Sequence, residues 1–150
     1  MKAVLQRVTR AEVRVASEVV GRIGPGLVVL LAVLEGDTSA VAQRFAERVA
    51  RWRCFPDDAG RMNRSLLEVG GAALVVSQIT LAADGKKGLR PSFDAAAPPE
   101  LARDLCTAFV SALEALGVRC GTGVFQAHME VELVNDGPVT FSLEDCPRAP

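Results

Sequence analysis

Residues 21–34 read GRIGPGLVVLLAVL, a Gly24-Pro25-Gly26 turn followed by an uninterrupted apolar run from Leu27 to Leu34. An apolar run of that length behind a turn signal suits a central strand buried on both faces. Upstream, residues 2–8, 12–15 and 19–23 are short and β-branched, the pattern of further strands. Downstream, DTSAVAQRFAERVARW places Asp37 as a helix cap. Val41, Phe45, Val49 and Trp52 then recur at helical spacing, with arginines on much of the other face.

Residues 72–77, AALVVS, repeat the buried-strand pattern. Pro98-Pro99 opens a second helix with an apolar stripe of Leu101, Leu105, Phe109, Leu113 and Leu116, and Gly117 stops it. From 128 to 134 the chain alternates, with Met129, Val131 and Leu133 on one face and His128, Glu130 and Glu132 on the other. Residues 139–143 alternate too. Strands, two helices between strands, then strands again predict a mixed α+β domain with helices covering one face of the sheet.

The chain has 150 residues, 17 Lys+Arg against 18 Asp+Glu, and 49% hydrophobic residues. That length suits one domain spanning 1–150 with a core large enough to fold without disulfide or metal staples. A near-neutral balance argues against a charge-driven polyanion binder, although it permits a local basic face. No internal repeat or linker divides the chain. The start, MKAVLQRVTR, carries no long apolar segment and no small-residue cleavage pattern, and no apolar run reaches the ~20 residues of a membrane span. The expectation is a cytoplasmic protein with reduced thiols.

The usual catalytic tools are few. There is no Tyr, one His, and four Cys (Cys54, Cys106, Cys120 and Cys146) without a CxxC pair. A serine triad would need His128 as base, yet alternation places it beside Glu130 and Glu132 on a strand's polar face, where it reads as solvated. A Cys–His pair through Cys106 or Cys120 has no sequence support. No GxxxxGK[ST], GxGxxG or HExxH is present, and no metal-ligand spacing can be found.

Two segments carry polar groups where packed strands should simply end. Ser77-Gln78-Ile79-Thr80-Leu81 follows the apolar AALVV, placing hydroxyls, an amide and free backbone N–H groups where ligand crevices of α/β sheets lie. Asn135-Asp136-Gly137-Pro138-Val139-Thr140 lies between two alternating stretches and reads as a turn. Its Pro cannot donate a ladder hydrogen bond, and its Gly-Pro peptide can be cis at modest cost.

SQITL and NDGPVT together resemble the two signature segments of the D-aminoacyl-tRNA deacylases. The resemblance runs over nearly the whole chain, through MKAVLQRVTRAEV, GRIGPGLVVLLAV, Arg61-Met62-Asn63, LVVSQITLAAD and RPSF. Ile79 stands where the family usually has Phe, so an apolar contact replaces a stacking ring. The resemblance implies barrel-like sheet layers covered by two helices, a three-layer α/β/β arrangement. It also implies hydrolysis of the ester joining a D-amino acid, or glycine, to the 3′-terminal adenosine of tRNA.

An aminoacyl ester is already activated, so positioning, a bound water and oxyanion stabilisation supply much of the acceleration. The resemblance assigns Ser77, Gln78 and Thr80 to the adenosine and ester pocket, assisted by the tRNA's own 2′-hydroxyl. It makes Gly137-Pro138 a cis element inserted into the partner subunit's pocket, where it excludes L side chains, and it makes Ile79 and Met129 substrate contacts. A homodimer follows from that insertion, and no cofactor or metal is implied. A non-catalytic binder of the tRNA acceptor end with the same fold is the alternative.

Residues 44–64 hold six Arg against Glu47, Asp57 and Asp58, and 84–90 hold Lys86, Lys87 and Arg90 against Asp84, whereas 126–150 hold five acids and one Arg. This asymmetry predicts phosphate contact from one side.

Overall fold

The computed structural model describes residues 1–86 and 88–146. Lys87 of the expected basic segment and Arg148 of the acidic tail lie outside the described residues. The fold begins with β1 (Lys2–Val15), β2 (Glu18–Ile23) and β3 (Gly26–Ala32). The two expected strands 2–8 and 12–15 form one, because β1 exchanges partners along its length. Residues 2–8 pair antiparallel with β3, while Ala11–Val15 pair with β2. β3 is buried along nearly its whole length, as the run LVVLLA requires.

The helix α1 (Ser39–Ala50) follows. Thr38, and not Asp37, caps it, its hydroxyl accepting from the Val41 amide at 3.3 Å. The Asp37 carboxylate is taken by the fully buried N-terminal ammonium of Met1 at 2.8 Å and by the Leu34 amide at 2.7 Å. A small hairpin, β4 (Phe55–Pro56) and β5 (Met62–Arg64), leads to a one-turn helix α2 (Leu66–Val69) closed by a Ser65–Glu68 capping box. Next come β6 (Ala72–Ser77), a 3₁₀ turn at Ile79–Ala82, α3 (Pro99–Ala115), β7 (Arg119–Thr122) and β8 (Glu130–Glu144). Pro99 opens α3, and Gly117 ends it at a φ of 93°.

The main sheet runs β2-β1-β3-β6-β7, with β8 on the other edge of β1. The pairs β3–β6 and β6–β7 are parallel and the others antiparallel. The sheet curls until β2 meets β7: a Cβ on Gly21 would fall 2.4 Å from the Thr122 carbonyl oxygen. Only a glycine permits that approach, which nearly closes a barrel.

One sheet face packs under α1 and α3 through Leu5, Leu31, Val75, Phe45, Phe109 and Leu113, with the rings of Phe45 and Phe109 6.0 Å apart. The other face encloses Val8, Val13, Val28 and Leu74, joined by Met129, Val131 and Leu133. These are the α+β, barrel-like layers expected from the sequence, with α2 as a short third helix.

The NDGPVT segment is no turn between two strands. β8 runs straight through it, antiparallel to β1, with Gln6 opposite Thr140 and Val8 opposite Asn135. Residues 136–139 therefore bulge out opposite Arg7 alone.

Candidate functional site

A cleft of about 810 Å³ opens at the carboxyl ends of the parallel strands β3 and β6. Its floor is Leu31, Val33 and Val76, and its far wall is the loop from Phe125 to Met129. Residues 96–99 close the third side because Ala97 donates to the Val33 carbonyl at 3.1 Å, extending the end of β3. Crevices outside the carboxyl ends of parallel strands are where such sheets bind ligands.

Ser77, Gln78 and Ile79 form one lip, and Met129 lies in the opposite wall. β6 ends at Ser77, and the Gln78 amide returns to the Leu31 carbonyl at 2.7 Å, so the chain turns at the cleft's edge. Ile79 is 56% exposed at the mouth. Thr80 does not line the cleft: it sits in the 3₁₀ turn, with its hydroxyl accepting from the Gln78 side-chain amide. The backbone amides of Ile79 and Thr80 have no acceptor among the described residues. They are open donors, as at the start of any helical turn.

Met129 owes its position to a glycine. A Cβ on Gly123 would stand 2.5 Å from the Met129 sulfur. His128, read from alternation as a solvated strand residue, is exposed as expected but stands outside the strand, because β8 begins only at Glu130, and it borders the cleft. Phe93 and Phe125 also line the cleft and were not singled out as site residues by sequence reasoning. The segment RPSF, which ends at Phe93, was the one signal for the first, and Phe125 had none.

Gly137-Pro138 stands elsewhere. Its peptide is cis, and both residues are exposed. Arg7, opposite the bulge, pairs with Leu27, four residues back along β3 from the cleft's Leu31, about 13 Å along the strand. The chain does not bring Gly137 and Pro138 to its own cleft. The bulge is nevertheless pinned firmly. The Asn135 side-chain amide donates to the carbonyls of Arg7 (3.0 Å) and Val139 (2.9 Å), and its oxygen accepts from the Val139 amide at 3.1 Å. Arg7 donates to the Asp136 carbonyl at 3.0 Å and the Cys54 carbonyl at 2.7 Å. A Cβ on Gly137 would meet the Val139 nitrogen at 2.5 Å, so glycine is required there by space alone.

Among the described residues the cleft carries no carboxylate, Lys or Arg on its walls. Cys106 lines it, with burial pushing its thiol up to about 11, and Cys120 is likewise pushed to about 11 by burial and by Glu114. Both are protonated near neutrality, which removes the thiolate that a cysteine nucleophile needs. Among the described residues no three His, Cys, Asp or Glu side chains gather into a metal-holding group. No described helix is long and apolar enough to cross a membrane.

The arginines of 44–64 are largely committed within the chain. Arg44 grips Asp145 through two 2.9 Å bonds, Arg48 reaches the Glu144 carbonyl at 2.9 Å, Arg51 pairs with Glu47, and Arg53 bonds Asn63. They tie α1 and β5 to their neighbours, but only Arg44 and Arg51 are matched by carboxylates; Arg48 and Arg53 bond neutral acceptors and keep their charge at the surface.

A family model described as D-Tyr-tRNA(Tyr) deacylase matches residues 4–144. A D-aminoacyl-tRNA deacylase of Symbiobacterium thermophilum is 57% identical over 144 residues, covering 96% of this chain and 95% of that protein. A D-aminoacyl-tRNA deacylase of Paracoccus denitrificans is 52% identical over 149 residues, covering 99% of this chain and 100% of the other. Among solved structures, the c-Myc DNA unwinding element binding protein superposes with a TM-score of 0.91 at 37% identity over 98% of this chain and all of that one. A probable eukaryotic D-amino acid tRNA deacylase superposes at 0.85 with 17% identity, covering 95% and 97%, a likeness of fold alone.

Proposed function

We propose a mechanism on the premise that the chain belongs to the D-aminoacyl-tRNA deacylase family and hydrolyses the ester between a D-amino acid and tRNA. The observation that supports it most is the composition of the cleft: an amide, a hydroxyl and an open backbone donor on one lip, with no charged wall. Among the described residues its walls hold no carboxylate to orient His128 as a base, and burial keeps the Cys106 thiol protonated, so nothing there raises a strong nucleophile. Such a site suits a substrate that needs only orientation and charge stabilisation.

In this reading the terminal adenosine occupies the cleft with its ester at Ser77 and Gln78. Water attacks the ester carbonyl, and the negative charge developing on the oxygen is met by the open amide of Ile79. The bond to the ribose oxygen breaks, and the proton from water passes to that oxygen by way of the neighbouring 2′-hydroxyl. Thr80 is then a positioning residue that fixes the Gln78 amide. Ile79 and Met129 give apolar contact to the adenosine and the aminoacyl group.

Chirality is read by exclusion. The exposed Gly137-Pro138 of one copy enters the cleft of a second, where its backbone leaves room at the substrate Cα for hydrogen or a D side chain but not an L one. On that geometry glycyl-tRNA is also a substrate, and the working unit is a homodimer.

The test is incubation with D- and L-aminoacyl-tRNA charged with the same amino acid. Ester loss from the D form alone is expected. Equal rates for both, or none with the D form, overturns the reading, and tight acceptor-end binding without turnover favours the binding-only alternative.

A further inference from the structure

A second, smaller groove of about 310 Å³ lies between α3 and β7 and shares Ser77, Cys106 and Phe125 with the cleft. It is walled by successive turns of one face of α3, Arg103, Thr107, Ser111 and Glu114, and by Thr122 and Gly123 across from them. This is the polar face of α3. The opposite face, Leu105, Phe109 and Leu113, is spent on the core. Arg103 stands where groove meets cleft, its guanidinium 5.2 Å from the centre of the Phe125 ring. It makes no ion pair among the described residues. It is also the one Lys or Arg lining either space among the described residues. Glu114, at the other end of this α3 face, confines an anion to the Arg103 end.

Connectivity decides the occupant. If the ester lies at Ser77 and Gln78, the ribose bearing it lies beside Ser77, which borders both spaces. The same ribose carries the 5′ phosphate, which must leave the cleft within one sugar's width. We propose that this groove binds the phosphodiester on the 5′ side of the terminal adenosine, with Arg103 as its counter-charge. The inference rests on the deacylase reading, for which it supplies a contact that holds tRNA and ignores free adenosine.

The test compares binding of the dinucleotide CpA with that of adenosine. The wild-type protein is expected to prefer CpA by about tenfold, the weight of one charge-assisted contact on an exposed side chain. That preference should weaken with salt at a logarithmic slope of about 0.7, as for one phosphate of a single strand. Arg103→Gln abolishes the preference and the slope while adenosine binds as before, and Arg103→Lys, which keeps the charge, restores most of both. Equal wild-type affinity for the two probes, or a preference that survives Arg103→Gln, overturns the proposal. A protein that prefers CpA through Arg103 yet leaves D-aminoacyl-tRNA intact upholds the groove and overturns the hydrolase. One that cleaves the ester without preferring CpA does the reverse.

Discussion

Cys106 faces both the cleft and the groove, yet its burial makes it a poor nucleophile at neutral pH. Because desolvation raises its ionisation to about 11, the thiolate population grows only as pH climbs toward that value. Iodoacetamide at pH 7.5 should therefore leave deacylation intact while it labels the exposed Cys146, whereas the same treatment near pH 10 begins to modify Cys106. Rapid inactivation at pH 7.5 would restore a cysteine mechanism. Asn135 matters for a different reason. Its side chain makes three hydrogen bonds that hold both ends of the 136–139 bulge, and none of the three was foreseen from sequence, where Asn read as turn chemistry. Asn135→Ala strands partly buried backbone groups and should cost about 2–3 kcal/mol in urea unfolding. If the bulge is the chiral filter, the same variant also cleaves L-aminoacyl-tRNA faster than wild type does.

Elements were legible wherever hydrophobic period set them. The helices, the buried strands β3 and β6 and the apolar face of β8 follow directly from the spacing of their side chains. What the sequence hid was tertiary in origin. β7, RCGT, has no apolar pattern and is a strand because β6 and β2 border it. A bulged β8 looks like two strands and a turn because the register with β1 is invisible without β1. Asp37 looked like the cap of α1 because aspartate is a good cap, but a buried ammonium from Met1 outbids the helix for it, and Thr38 serves instead. The two residues should thus differ sharply on truncation. Thr38→Ala loses one cap, about 1 kcal/mol. Asp37→Ala leaves a buried ammonium without its carboxylate and with only the neutral Asp145 carbonyl at 2.7 Å, a loss of about 3–5 kcal/mol. Equal Tm shifts for the two variants would mean that the Asp145 carbonyl and water satisfy the ammonium without Asp37.

At the scale of the whole molecule, the cleft and the Gly137-Pro138 bulge lie at opposite ends of β3 and on different strands, so one chain cannot use both on the same substrate. Of the residues expected at the site, Ser77, Gln78, Ile79 and Met129 converge on one cleft; Gly137 and Pro138 could join them only from another copy. Mixing variants separates that arrangement from a bulge that acts within its own chain. Pro138→Ala alone should cleave L-aminoacyl-tRNA through a relaxed filter, and Gln78→Ala alone should cleave neither enantiomer well. After subunit exchange with an excess of Gln78→Ala, nearly every Pro138→Ala cleft faces a native bulge from its partner. Its L activity should then disappear while its D activity persists, because the intact cleft and the intact filter meet in the same heterodimer. If the filter worked in cis, the L activity of the Pro138→Ala protomers would survive any excess of the second variant, since no partner could repair it.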